Sequence, residues 1–182
     1  MRFAGWRSLA LIVFLAAPGV GLAADADTDG GATLAGTFRD WFVYRAGDEG
    51  NPLCYALSQP RSSDPGNVQR GQIAFLVSTW PAQGKHHEPS IVPGYPYREG
   101  EDSSVRVQIG GDQFEFGLVR NEGDEGGAWM EDAAQETRLI NSMKNGNNMV
   151  VTGTSARGTL THDTYSLAGI TAALDAIDEL CN

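Results

Sequence analysis

Through most of the chain downstream of residue 37, apolar and polar positions alternate with a period of two, the spacing of a strand with one buried face. In "TFRDWFVYRA" Trp41 and Val43 fall on one face and Phe42 and Tyr44 on the other, until "GDEGNP" ends the run. "LCYALSQ" and "QIAFLVSTW" follow, the second with Ile73, Phe75 and Val77 on one side. Val105, Val107 and Ile109 alternate into Gly110-Gly111-Asp112, and Phe114, Phe116 and Leu118 alternate out, which predicts a hairpin. Met149 to Thr154 and Thr159 to Ser166 predict a further pair around the turn "SARG". Short strands at this spacing, without helices between successive strands, point to a β-sandwich and away from a parallel α/β sheet.

Two segments keep a helical period instead. "MEDAAQETRLINSMKNGN" is rich in helix formers and sets Thr137, Ile140 and Met143, with Leu139, at helical spacing, closing at Asn145-Gly146 as a C-cap. In "SLAGITAALDAIDELCN" Leu167, Ile170, Leu174, Ile177 and Cys181 recur at steps of three and four, with Ser166 as the predicted N-cap. Thr171, Asp175, Asp178 and Glu179 fall mostly on the opposite side. One face of this last helix is therefore built to lie on the sandwich, and Cys181 belongs to it.

The N-terminus changes the picture by setting a compartment. Arg2 and Arg7 precede an apolar run from Leu9 to Ala17, and small residues follow around Ala23 and Ala24. That order predicts a signal peptide over residues 1–24, with an apolar run too short to span a bilayer. Residues 25–36, acidic and glycine-rich, are expected as a flexible leader, and residues 37–182 as a single domain. Loss of Arg2 and Arg7 takes the formal charge from -10 to -12. Such an acidic domain is repelled by nucleic acid and by anionic lipid, which excludes both as direct partners.

Export also gives the cysteines a role. There are two, Cys54 and Cys181, and in an oxidising compartment two cysteines pair. A disulfide between them would pin a terminal helix that otherwise frays. The residues form no Cys-x-x-Cys, so a redox-active pair is not indicated.

The segments "FRDWFVY", "CYALSQP", "PSIVPGYPY", "MVVTGTSARGT" and above all "DTYSLAGITAALDAID", followed at the end by "LC", resemble the invasion-associated locus B family of exported proteins of Gram-negative bacteria. The likeness runs from Phe38 to Cys181. It implies an immunoglobulin-like β-sandwich, with the C-terminal helix docked on it, in the periplasm, associated with the outer membrane, or secreted. Members have been connected with entry into host cells, and no general biochemical activity is attached to the family. Many members carry extra cysteines near the first strand; here Tyr44 stands where some have one, which leaves Cys54 to pair with Cys181.

Candidate chemistry is sparse. His86-His87 with Glu88 offers metal-ligand types, but neighbours on an extended segment point opposite ways, so a solvated loop without metal is expected. His162 beside Asp163 invites a triad with Ser155, yet "GTSARG" is not Gly-x-Ser-x-Gly and sits in a hairpin. "RNEGDEGGAWMED" lacks the spacing of a calcium loop and is expected as an acidic mobile loop. Trp41, Trp80 and Trp129 with Tyr95 and Tyr97 could form an aromatic patch, although Trp41 is in phase with the core. In "VPGYPY", Pro93 and Pro96 keep Tyr95 and Tyr97 out of a central strand, which makes these four residues the candidate binding surface. The resulting expectation is a non-enzymatic envelope protein, without cofactor, that binds an envelope or host-surface protein. Its alternative is a small hydrolase or metal-dependent enzyme with His86, His162 and acidic residues gathered from distant loops.

Overall fold

The computed structural model describes residues 31–100, 105–122, 125–130 and 132–181. The expected signal peptide and the first half of the leader lie outside the described residues. Strand β1 (Thr33–Phe38) begins inside the stretch expected as leader, because it pairs antiparallel with β2 (Trp41–Ala46) and so satisfies its backbone along one edge.

Two antiparallel sheets form the sandwich. After β2 come β3 (Leu53–Ser58), β4 (Ser62–Asp64), β5 (Ala74–Trp80) and β6 (Lys85–Val92), then the hairpin of β7 (Val105–Ile109) and β8 (Asp112–Phe116). Strands β9 (Leu118–Glu122) and β10 (Glu125–Trp129) precede helix α1 (Ala133–Asn145), and β11 (Asn148–Thr154), β12 (Leu160–Ser166) and helix α2 (Ile170–Leu180) complete the order. One sheet runs β1-β2-β3-β5-β6-β10-β9 and the other β4-β12-β11-β7-β8.

Alternation builds the core as the pattern required. Trp41, Val43, Ala56, Phe75, Val77 and Ile91 of the larger sheet meet Val107, Phe114, Phe116, Met149 and Tyr165 of the smaller one. Phe75 is the hub, meeting Trp41, Phe116 and Tyr165 in edge-on arrangements with centroids 6.1 to 6.3 Å apart. Trp41 Nε1 donates to the Ser166 carbonyl at 3.1 Å, a buried bond from β2 to the end of β12. The larger sheet is two strands wider than the smaller, and α2 packs on β1, β2 and β3 with Ile170, Ala173, Leu174 and Ile177 in the same apolar cluster. Cys54 and Cys181 are disulfide-bonded, with Cα atoms 6.0 Å apart.

Several local expectations are corrected. The segment expected as an acidic loop is the β9–β10 pair, with Glu125 opposite Glu122 and Gly127 opposite Arg120. Gly127 permits it, since a Cβ there would sit 2.4 Å from the Trp129 ring. Thr137 is exposed and donates its hydroxyl to the Ala133 carbonyl at 3.0 Å, so the buried face of α1 is Leu139, Ile140 and Met143. Gly146 after α1 has extended backbone, not the left-handed cap, and abuts Ile109 and Leu167.

Ser166 is the last residue of β12, not the helix cap; its Oγ accepts from the Ala168 N–H at 3.2 Å. The chain turns at Gly169, at φ +98°, whose absent Cβ would lie 2.0 Å from the Phe38 carbonyl oxygen. Gly169→Ala therefore combines left-handed strain with a clash against fixed backbone. It is expected to destabilise the protein by about 2 kcal/mol or more, read as a lower urea midpoint; an unchanged midpoint would show that the turn can rearrange.

Candidate functional site

Proline chemistry shapes the site. Pro93 ends β6, and Gly94, at φ +72°, reverses the chain so closely to Gly71 that a Cβ would sit 2.7 Å from the Gly71 carbonyl oxygen. The segment after it is stitched to the turn between β11 and β12: Ala156 N–H donates to the Pro96 carbonyl at 2.8 Å and Arg98 N–H to the Thr154 carbonyl at 2.9 Å. Gly153 is needed here as well, because a Cβ on it would lie 2.6 Å from the Tyr97 ring.

This junction encloses a cleft of about 350 Å³ in which Val68, Tyr95, Pro96, Ala156 and Arg157 meet. Its floor is charged but neutralised. Arg70 grips Asp163 through two nitrogens, at 2.8 and 2.5 Å, and both side chains are about 5% exposed or less. The same guanidinium donates twice to the Pro93 carbonyl, at 3.0 and 2.9 Å, so the prolyl segment is held by the buried ion pair. Burial works against the charge of Arg70, and the Asp163 carboxylate more than compensates, leaving its pKa raised. Above it lies the Tyr95 ring, 4.9 Å from the guanidinium carbon, and the Tyr95 hydroxyl and Thr161 Oγ1 share a hydrogen bond of 2.6 Å. Burial raises the Tyr95 pKa, so the phenol stays neutral at physiological pH.

The candidate residues separate. Tyr97 is 2% exposed and packs its ring edge-on against Tyr95, and Pro93 is also buried. Prolines kept this segment out of a central strand as expected, but the β11–β12 turn folds over it and leaves only Tyr95 and Pro96 at the cleft. The aromatic residues do not gather: Trp41 is in the core, Trp80 Nε1 donates to Asn51 Oδ1 at 2.6 Å, and Trp129 covers Gly127. Nor does the structure assemble the considered triad. Ser155 Oγ accepts from the Thr159 N–H at 3.1 Å, His162 Nδ1 meets Thr152 Oγ1 at 3.1 Å, and Asp163 is held by Arg70. His86 lies in the other sheet from His162.

His86 and His87 are in strand β6, not in a solvated loop, and His87 is buried. Sequence reasoning missed Arg70 and considered Asp163 only as a partner of His162, whereas the structure pairs the two. Arg70 and Asp163 are 93 residues apart, and a lone arginine in "VQRGQ" carries no signal that it will be buried.

A family model described as "Invasion associated locus B (IalB) protein" matches residues 42–178. No curated protein matches the chain significantly. Among solved structures, the crystal structure of invasion associated protein b from Bartonella henselae is similar at 19% identity, covering 81% of this chain and 98% of that one with a TM-score of 0.53. This likeness shows the shared sandwich fold, and the family match extends over most of the chain. No helix among the described residues is long and apolar enough to cross a membrane. The chain belongs to the invasion-associated locus B family.

Proposed function

We propose that this family member is an exported, non-enzymatic binding module that engages an envelope or host-surface protein through the cleft at Tyr95 and Pro96. The observation that carries this reading is the composition of the cleft. An exposed Val68, a part-buried tyrosine and an exposed Arg157 border it, while the charged pair beneath is already satisfied. Aromatic and arginine side chains around a small apolar depression are the residue types that anchor protein partners. Arg157, on an otherwise acidic domain, favours a partner that presents an acidic group beside an apolar one. Acid–base catalysis finds little support there, since no histidine lines the cleft among the described residues and Asp163 is committed to Arg70.

Export is supported by the Cys54–Cys181 disulfide, a bond of oxidising compartments, together with the N-terminal pattern of basic, apolar and small residues. The words "invasion associated" in the name of the Bartonella protein extend the reading to a host-cell surface as one place of action.

A photoreactive residue at Ala156, on the rim of the cleft, is expected to capture one abundant partner in cells. The same residue at Thr171, exposed on α2, is expected to capture none. Equal capture from both positions, or from neither, would remove the cleft as the binding face.

A further inference from the structure

We propose that His86, His87 and Asp178 form a binding site for a divalent transition-metal ion of the zinc, nickel or copper class, fastening helix α2 to strand β6. The inference is independent of the binding role argued above.

Its origin is a β-bulge. Ser78 pairs with Glu88 and Trp80 with Lys85, so the single residue Thr79 stands opposite both His86 and His87. Two residues against one is the bulge arrangement, which re-aims side chains that regular pleating would send to opposite faces. His87 adopts φ +54°, uncommon for a residue other than glycine, and its N–H donates to Thr79 Oγ1 at 3.3 Å. The two imidazole rings thereby come to one side, with centroids 4.1 Å apart. Alternation along a regular strand forbids this, which is why the sequence alone argued against a metal.

The third group arrives from α2. Asp178 Oδ1 lies 2.8 Å from His87 Nε2 and 3.2 Å from His86 Nε2, and one ligand atom from each of the three residues lies within 4.8 Å of the others. Two ligands on one ion with bonds of about 2.0 to 2.1 Å are separated by roughly 2.8 to 3.4 Å at right-angled to tetrahedral geometry. The two contacts fall within that range.

Their alignment separates a metal site from a simple ion pair. His87 Nε2 and Asp178 Oδ1 are close, yet both are buried atoms without a hydrogen bond in proper alignment. The His87 side chain is only 10% exposed. An N–H donor aims along the line to its acceptor, whereas two ligands of one ion aim at a shared point off that line. A buried polar atom without an aligned partner calls for an occupant.

The charged and titratable groups facing His87 are Asp178 from α2, His86 from its own strand and Lys144 from α1. Two imidazoles and one carboxylate select zinc, nickel or copper over magnesium or calcium. Thr79, opposite the histidines, is also the strand partner of Cys54, and Asp178 precedes Cys181 by three residues. The metal and the disulfide would thus secure the same end of the same helix.

Titration calorimetry of the tag-free mature protein with zinc chloride at about pH 7.5 tests the site. One ion is expected to bind per chain and to raise the melting temperature, whereas magnesium does neither. His86→Ala alters a side chain that is 68% exposed and should leave the apo fold intact. It is expected to weaken zinc binding at least about tenfold and to abolish the thermal shift. His162→Ala removes the remaining histidine, in the other sheet, and should change neither. No saturable binding up to millimolar zinc would overturn the proposal, as would unchanged affinity in His86→Ala or lost affinity in His162→Ala.

Discussion

Replacing Cys54 and Cys181 together with serine is expected to lower unfolding stability by about 2 to 5 kcal/mol. The bridge closes a loop with a sequence separation of 127 residues. The loop-closure model assigns a bridge over so long a span about 4 to 5 kcal/mol, as an upper figure. Both sulfurs are buried within the apolar cluster under α2, so serine hydroxyls there also lose packing and meet no water. The loss should begin at the helix. Hydrogen exchange over Ile170–Leu180 is expected to accelerate before exchange in β5 or β11 does, because α2 lies outside both sheets and the bridge ties its end to β3. Urea unfolding under matched conditions measures the total, and an unchanged midpoint would show that packing of Leu174 and Ile177 alone holds the helix.

Arg70→Ala is expected to cost about 3 to 5 kcal/mol, because it leaves the Asp163 carboxylate buried without its partner. Solvent cannot relieve that charge, since the Asp163 side chain is 4% exposed. The Pro93 carbonyl loses two donors in the same step, so the prolyl segment loosens and the cleft loses its floor. A double replacement, Arg70→Met with Asp163→Leu, removes both charges and is expected to recover most of the stability. The recovery separates a cost of unpaired charge from a cost of lost packing. Comparable losses in the single and double variants would contradict the assignment. Neither result would by itself concern binding, which the cleft-rim crosslink reads separately.

Alternation made most of the sandwich legible in advance. Trp41 and Val43, Phe75 and Val77, and Val105 through Phe116 took the faces their period assigned, because a one-residue slip would have turned a whole set to water. The apolar stripe of α2 and the single possible disulfide were legible for the same reason: each is a pattern within one segment or a count of two. Segments whose partner lies far away were not legible. β9 and β10 have little apolar alternation, and they become strands by pairing with each other and, through β10, with β6.

The sites share that limit. Pro93 and Pro96 correctly marked an irregular segment, yet whether Tyr97 faced water depended on the β11–β12 turn closing over it. His86 and His87 looked incompatible with a shared ligand until a bulge opposite Thr79 changed the local geometry. Asp178 looked like the polar side of an amphipathic helix, and its contact with β6 follows from docking, not from its own neighbours in sequence.

The central claim is that the cleft beside Tyr95, and not an exposed sheet edge or helix, is the face that meets a partner. The most direct measurement keeps the crosslinker at a second position beside the cleft, Gln69, and fills the cleft with Ala156→Trp, since both residues are exposed. Capture from Gln69 is expected to be strong in the parent protein and lost when the cleft is filled, with the melting temperature unchanged. Undiminished capture in the filled variant would contradict the account.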